Sequence, residues 1–485
     1  MRTMLVAVAA LIVLVACGGG GSMSATGVTA MTQSVATSGT ITAFGSVFVN
    51  GVRYDISAAR LKKNGKAVTQ AALAVGEVAT VRGHQNLGTG QGSADSVEVE
   101  DNVVGPIATI DVAGNMLTAL GQTVKVTAST SFGKGITPGD LTGLTAGDPI
   151  EVSGLADAAG TIVATRIGRA ETGEPLQVLG KVASFDAGTH TFNINSLIVD
   201  ATTAMLSGFT SGQPANDDLV VVRGTQFDAT AVRLTADAVE LATTDPRVSE
   251  DGSHAESGHV ELEGLVMNYV SATDFEVDSA KVTTTPDTKF SGGSAMDLAD
   301  NVRVEVRGML DANQVLVADA VEIDHVAALK LEATAAQVDA VNGTLTLLGV
   351  TVTVDADTRF EDKSSAAVQL FTLQDVHDGD TVVVRGYESP AGSGKLLARK
   401  FERLAPTTDV VVRGPFTATT APMFTILGIT IDAGNASFGH DQDQGLMSLG
   451  DFFTRAVGNI VEVEGTASGN VVTATDVRID SEEDR

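Results

Sequence analysis

A short valine-rich segment that closes on glycine recurs six times along the 485-residue chain. The copies end at Gly83, Gly154, Gly224, Gly308, Gly386 and Gly465. The intervals between these glycines are 71, 70, 84, 78 and 79 residues. Because a near-constant interval is typical of tandem structural units, the chain is predicted to consist of six similar repeats.

Each repeat carries the pattern of short β-strands. Apolar and polar residues alternate before the glycine, as in Val304-Glu305-Val306-Arg307, which gives the strand one buried and one solvent-exposed face. The pair Asn50-Gly51 suits a tight hairpin turn, since both residues accept a positive φ. Glycine-acid pairs such as Gly76-Glu77 precede the valine-rich segment and favour a turn there. About five strands per repeat follow from these signals.

The predicted fold class is therefore all-β. A unit of roughly 70 residues with one buried face closes as a small antiparallel barrel, similar to an oligonucleotide/oligosaccharide-binding (OB) fold, or as a small sandwich. Both alternatives remain open from the pattern alone. The predicted segments are a signal peptide (1–16), a flexible tether (17–36), six β-repeats (repeat 1, 37–101; repeat 2, 102–172; repeat 3, 173–243; repeat 4, 258–326; repeat 5, 327–405; repeat 6, 406–482) and an acidic linker (244–257).

The N-terminus predicts a lipid anchor. A run of 13 apolar residues from Met4 follows Arg2, which is typical of a secretory signal and too short for a permanent membrane helix. The sequence Leu14-Val15-Ala16-Cys17 resembles the lipobox of bacterial lipoproteins, which implies diacylglycerol on the thiol of Cys17. Gly18 in place of aspartate favours the outer membrane. The expected location is the cell envelope, with the membrane as a partner through Cys17.

The repeats resemble the bacterial family catalogued as domain of unknown function 5666. The residues that carry the resemblance are the opening from Gly39 to Val52, the Leu-x-x-Gly-(Asp/Glu) turn, the Val-x-Val-x-Gly strand and the Ala-x-x-Val-x-Ile ending. It covers residues 37–482, although the third copy has Asn216-Asp217-Asp218 at the turn and the fifth begins at Leu329 without a glycine. The resemblance implies secreted or lipid-anchored proteins of unknown activity, and it carries over no catalytic residue.

Charge and histidine placement exclude several classes of function. With 60 acidic and 31 basic residues the net charge is -29, which disfavours nucleic acid as a partner. The seven histidines occupy different places in their repeats: His84, His190, His254, His259, His325, His377 and His440. Zinc at His254 and His259, calcium at residues 441–445 and phosphate at the glycine cluster 88–92 are each disfavoured by spacing. No catalytic, metal or cofactor site is predicted.

The sequence thus predicts a non-enzymatic lipoprotein of the cell envelope that acts as a surface spacer, scaffold or adhesive array. The alternative is a saccharide- or protein-binding module presented from the outer membrane to an unidentified envelope or extracellular partner. Six separate cores also predict an extended string of domains, in which each repeat contacts only its neighbours in the chain.

Overall fold

The computed structural model describes residues 32–86, 91–242, 259–324, 328–440 and 447–479. Strands dominate these residues, so the predicted all-β class is confirmed. The signal peptide, Cys17 and the acidic linker (244–257) lie outside the described residues. The first strand begins at Thr32, within the segment 17–36 that is predicted as a tether.

Repeats 1, 2 and 3 contain 20 strands in chain order. The strands of repeat 1 are β1 (Thr32–Ala43), β2 (Val47–Val49), β3 (Val52–Asp55), β4 (Arg60–Lys63), β5 (Lys66–Ala67), β6 (Val78–Asn86) and β7 (Gln91–Val99). Those of repeat 2 are β8 (Val103–Asp111), β9 (Met116–Ala119), β10 (Gln122–Lys125), β11 (Ser131–Phe132), β12 (Pro149–Ala156) and β13 (Ile162–Arg169). Those of repeat 3 are β14 (Leu176–Lys181), β15 (Ala183–Asp186), β16 (Thr191–Ile194), β17 (Leu197–Asp200), β18 (Met205–Ser207), β19 (Leu219–Asp228) and β20 (Arg233–Leu241).

Repeats 4, 5 and 6 contain the remaining described strands. The strands of repeat 4 are β21 (His259–Ser271), β22 (Asp274–Val277), β23 (Ala280–Ser291), β24 (Arg303–Leu310) and β25 (Leu316–Ile323). Those of repeat 5 are β26 (Leu329–Thr334), β27 (Ala336–Asp339), β28 (Thr344–Leu347), β29 (Val350–Thr353), β30 (Arg359–Asp362), β31 (Thr381–Glu388) and β32 (Leu396–Arg403). Those of repeat 6 are β33 (Asp409–Pro415), β34 (Thr417–Ala418), β35 (Met423–Ile426), β36 (Ile429–Asp432), β37 (Ser437–His440), β38 (Ile460–Ser468) and β39 (Val471–Ile479).

Short helical segments precede the fourth barrel strand in five repeats. They are the 3-10 turns Gln70–Ala72, Leu141–Gly143, Ala295–Asp297 and Leu373–Asp375, and the α-helix α1 (Leu449–Arg455) in repeat 6. The helix buries Phe452 against the aromatic rings of Phe416 and Phe438. Its N-terminus is capped by the hydroxyl of Ser448, which accepts a hydrogen bond from the amide of Asp451.

Each repeat closes into a small barrel. In repeat 2, β8, β9 and β10 form an antiparallel meander, β10 lies parallel to β13, and β12 pairs antiparallel with both β13 and β8. The barrel order is therefore first, second, third, fifth, fourth and back to the first strand, as in an OB fold. The other five repeats close in the same order. Of the two predicted forms, the barrel is the one that forms.

The barrels associate in pairs through their first strands. Repeats 2 and 3 pair β8 with β14, and repeats 5 and 6 pair β26 with β33, both antiparallel. Repeats 1 and 4 are distant in sequence, yet β1 and β21 run parallel from Val35 opposite His259 to Ser38 opposite Leu262. A continuous hydrophobic core joins repeats 2 and 3, and another joins repeats 5 and 6, whereas repeats 1 and 4 keep separate cores. The contact between repeats 1 and 4 is correspondingly polar, with Thr37 and Glu261 buried in it.

Polar contacts join the three barrel pairs to one another. Repeat 1 contacts repeat 2 through Lys63, whose Nζ lies 2.9 Å from Glu151 Oε2. Repeat 3 contacts repeat 1 through Arg223, whose Nη2 lies 2.8 Å from Glu100 Oε2. Repeat 5 contacts repeat 2 through Lys400, whose Nζ donates to the carbonyl of Thr130 at 2.8 Å. Since repeats that are not consecutive in sequence contact each other, the predicted extended string is wrong.

Candidate ligand-binding site

A cavity of about 420 Å³ lies where repeats 1, 2, 4 and 5 meet. Repeat 1 contributes β1 and the turn after β2, repeat 2 contributes the loop after β10, and repeats 4 and 5 contribute strand ends and adjacent loops. The charged residues of its wall are Lys125, Asp157, Glu263, Arg303, Glu305, Glu322, Asp324, Asp357, Arg359 and Arg399. Such a volume is typical of sites for small molecules, and several charged side chains lie in this wall.

Arg303 and Glu263 form a buried ion pair on the repeat 4 side of the cavity. Arg303 Nε lies 2.8 Å from Glu263 Oε1, and Arg303 Nη2 also reaches the hydroxyl of Thr40 in repeat 1 at 3.2 Å. The amide of Thr40 donates to Glu263 Oε2 at 2.6 Å. Burial by itself raises the pKa of Glu263, but the charge of Arg303 and the Thr40 amide outweigh it and hold the pKa below its usual value. Glu263 is thus a fixed carboxylate.

Arg399 joins repeat 5 to repeat 4 at the neighbouring part of the wall. Its Nε lies 3.3 Å from Asp324 Oδ1 and its Nη1 lies 3.1 Å from Asp355 Oδ2. The hydroxyl of Tyr387 accepts a hydrogen bond from Nη2 at 2.8 Å, and the guanidinium also lies over the tyrosine ring, 5.1 Å from its centre. Although burial lowers the pKa of Arg399, its two aspartate neighbours raise it overall. The group is therefore permanently charged and held from several sides.

Arg359 differs from the other two arginines because it lacks a carboxylate partner. The residue is only 4% exposed, and its hydrogen bonds go to the backbone carbonyls of Ser129, at 2.7 Å, and Thr165, at 3.4 Å. Among the described residues no carboxylate forms an ion pair with it. Burial, with the repulsion of Arg303, lowers the pKa of Arg359 to about 10, although the more distant carboxylates of Glu263, Glu361 and Asp324 oppose the change. The guanidinium of Arg359 thus lies at the cavity wall without a carboxylate in direct contact among the described residues.

Asp357 is an acidic residue of the same cavity wall. It lies in the turn between β29 and β30, two residues before Arg359. In the described part of the chain its carboxyl group has no basic partner within ion-pair distance. Burial and the charge of Asp355 raise the pKa of Asp357 to about 6, despite the opposing effect of Arg399. The carboxyl group can therefore accept or donate a hydrogen bond near neutral pH.

The histidines singled out by the sequence do not take part in this cavity. His84 and His259 lie on strands beside Asp95 and Asp319, at 3.7 and 3.3 Å, and His190 and His377 lie in turns. His254, His325 and the side chain of His440 are outside the described residues, as are residues 441–445 and most of the glycine cluster 88–92. Within the described ranges no group of three or more His, Cys, Asp or Glu side chains is arranged to hold a metal ion.

The cavity residues were missed by sequence reasoning because they are not repeated. The three arginines of the wall, Arg303, Arg359 and Arg399, occupy different positions in their repeats. Each is one of many charged residues on strand faces that are predicted to be solvent-exposed. A signal does exist for the contacts between barrels. The arginine of the Val-Arg-Gly segment recurs, and in repeats 3 and 4 it reaches another repeat through Arg223 to Glu100 and Arg307 to the carbonyl of Asn50.

The fold and the cavity together define a multi-barrel protein built from OB-like units around a polar centre. The chain belongs to the family described as Domain of unknown function (DUF5666), whose model matches residues 104–168, 263–322, 334–402 and 413–478. These matches lie in repeats 2, 4, 5 and 6. Repeats 1 and 3 lie outside the matched segments but have the same strand order.

A further comparison adds no function. A search of curated proteins found no match. In the described part of the chain, no helix combines the length and the apolar character needed to cross a membrane.

Proposed function

We propose that the protein is a non-enzymatic binding protein of the cell envelope that holds a saccharide in the cavity between repeats 1, 2, 4 and 5. The observation that carries the proposal is the set of arginine and carboxylate side chains in the wall of this cavity. Guanidinium donors alternate there with carboxylate acceptors, and a sugar hydroxyl can both donate and accept. The spacer role expected from the sequence depends on an extended string, so we favour the binding role.

The ion pairs of the wall support binding rather than catalysis. Arg303 and Arg399 hold Glu263 and Asp324 as fixed carboxylates, which suits acceptors for ligand hydroxyls. Preformed acceptors of this kind bind without reorganisation, because their partners already fix their positions. Release of reducing sugar from a bound glycan would contradict the non-enzymatic proposal.

A plugged cavity tests the proposal directly. Ala128 is an exposed residue of the cavity wall, so Ala128→Trp should fill the entrance without disturbing a core. Binding of the full chain to an array of envelope and extracellular glycans should be lost in this variant. Ala187→Trp, in an exposed turn of repeat 3, is the matched control and should bind like the wild type. Equal glycan binding by the plugged and wild-type proteins would place the site elsewhere.

The envelope location rests on the lipobox-like sequence at Cys17. We propose that this cysteine is lipidated and anchors the barrels to the outer membrane, since acyl chains give stable attachment where one weak signal does not. The full chain should fractionate with membranes, and Cys17→Ser should remove it from them. Wild-type protein with an unmodified Cys17 by mass spectrometry would contradict the anchor.

A further inference from the structure

Arg359 is a buried cation of the cavity wall that no described carboxylate contacts directly. A guanidinium carries five N–H donors, and Arg359 directs its bonds to only two backbone carbonyls. Burying a cation without a carboxylate is costly unless some other group compensates for it. Lys125, from repeat 2, adds an ammonium group to the same wall. The guanidinium of Arg359 therefore has N–H donors left for one anionic group of a ligand.

The other two arginines of the wall already have carboxylate partners. Glu263 is paired with Arg303, and Asp324 is paired with Arg399. These carboxylates keep unused lone pairs, so they still accept hydrogen bonds from hydroxyls. They also repel a ligand that carries several negative charges, which disfavours a doubly charged phosphate monoester against a single carboxylate.

We propose that the cavity selects a sugar acid, with the ligand carboxylate on Arg359 and its hydroxyls on the carboxylates of Asp324 and Asp357. The proposal rests on the saccharide-binding function proposed above and names its ligand class. Arginine suits this task because its planar fork matches both oxygens of a carboxylate. The cavity of about 420 Å³ has room for one or two sugar rings.

Titration calorimetry on the wild-type full chain provides the first test. Glucuronate and galacturonate should bind at least about tenfold more tightly than glucose and galactose, as expected for a charge-assisted bidentate contact. Equal affinity for acids and neutral sugars would overturn the sugar-acid inference while leaving the saccharide proposal standing. Failure to bind any saccharide would overturn both. Tighter binding of free amino acids than of uronates would also overturn the inference.

Substitution of the arginine provides the second test. Arg359→Met should weaken uronate binding at least about tenfold and leave neutral sugars little changed, because only the acid uses the guanidinium. Arg359→Lys keeps the positive charge but loses the planar pair of N–H donors. Its affinity for uronate should therefore fall less than that of Arg359→Met. The control is Arg169→Met, since Arg169 also donates to two backbone carbonyls, those of Gly135 and Gly143, away from the cavity.

Thermal melting of each variant separates binding from folding. If Arg359→Met does not fold, Arg359→Lys and the wild-type comparison of acids with neutral sugars still decide the outcome. Undiminished uronate binding in a folded Arg359 variant would show that the carboxylate docks elsewhere.

Discussion

Glu305 lies on the cavity wall in a group of acids that outnumber their basic partners. Arg307 Nε donates to Glu305 Oε1 at 2.6 Å and lies 3.6 Å from Glu261 Oε1, so two carboxyl groups share one guanidinium. Burial raises the pKa of Glu305, Arg307 opposes the rise, and the charge of Glu261 adds to it, with a result of about 8. Glu305 is therefore mostly protonated at neutral pH in the folded protein.

Replacement of this carboxyl group should change the pH dependence of stability. The folded pKa of about 8 lies above the reference value of 4.5, so the folded state binds more protons than the unfolded state between these values. Stability contributed by Glu305 is present below about pH 4.5 and falls as pH rises to about 8. When the pH is raised from about 5 to about 9, the free energy of unfolding should therefore fall less for Glu305→Gln than for the wild type. The difference between the two falls should be on the order of 1–3 kcal/mol.

Urea unfolding at the two pH values measures this difference. Glu171→Gln, at an exposed position, is the control and should follow the wild-type pH dependence. Parallel stability curves for Glu305→Gln and the wild type would show that Glu305 titrates normally. Sequence alone could not identify this residue, because the same Val-Glu-Val pattern predicts a solvated glutamate in repeats 4 and 6 alike.

At the scale of the strand, the recurrent glycine marks a bulge. The pairing of the fourth and fifth barrel strands shifts register beside this glycine in all six repeats. At each position a Cβ atom would press against a backbone carbonyl of the fifth strand, for example that of Val317 at Gly308. The glycine thus permits the close approach of two strands that closes the barrel.

Gly308→Ala should destabilise repeat 4 because the opposing atom is backbone and cannot rotate away. We expect a loss of about 1–3 kcal/mol in unfolding free energy, as for other overpacked sites. The control is Gly450→Ala in α1, where a Cβ meets nothing within 4 Å and alanine is the better helix former. Denaturant unfolding of both variants gives the comparison, and equal stability of Gly308→Ala and the wild type would contradict the role of the bulge.

Most features of a single barrel were predictable from the sequence. Asn50 and Gly51 both have positive φ, at 50° and 70°, as the predicted hairpin turn requires. Repeat 3 forms the same turn without the glycine. Asp217 has the positive φ there, at 72°, and Asp218 accepts a hydrogen bond from the amide of Ala215 at 2.8 Å. Local turn and strand preferences suffice for these features, since each depends on residues close together in the chain.

Contacts between barrels were not predictable in the same way. The parallel pairing of β1 with β21 joins segments more than 200 residues apart, and no local pattern encodes it. The partner strands are polar at the contact, where Thr37 donates to Glu261 Oε2 at 3.2 Å. Such residues have the same alternation as a solvent-exposed strand face, so the sequence predicts separate units where the structure forms one assembly. The cavity was missed for the same reason.

The assembly should remain closed in solution even though the chain carries a net charge of -29. A string of six barrels, each about 30 Å across, would have a radius of gyration near roughly 50 Å, whereas a compact 485-residue body approaches about 23 Å. Because Lys63 pairs with Glu151 and Arg399 with Asp324 across barrel pairs, in largely buried ion pairs, small-angle scattering should give a value below about 35 Å.

The salt dependence of the radius of gyration and two sets of substitutions then distinguish a closed assembly from an acidic string that merely contracts. Buried pairs are weakly screened, so the radius of the closed assembly should change little between about 0.05 and 0.5 M salt, whereas an acidic string should contract as its repulsion is screened.

Lys63→Met combined with Arg399→Met should raise the radius by loosening contacts between repeats 1 and 2 and between repeats 4 and 5. Arg169→Met, whose ion pair with Asp148 stays within repeat 2, should leave it unchanged. A wild-type radius near that of the string would contradict the closed assembly and, with it, the cavity that four barrels share.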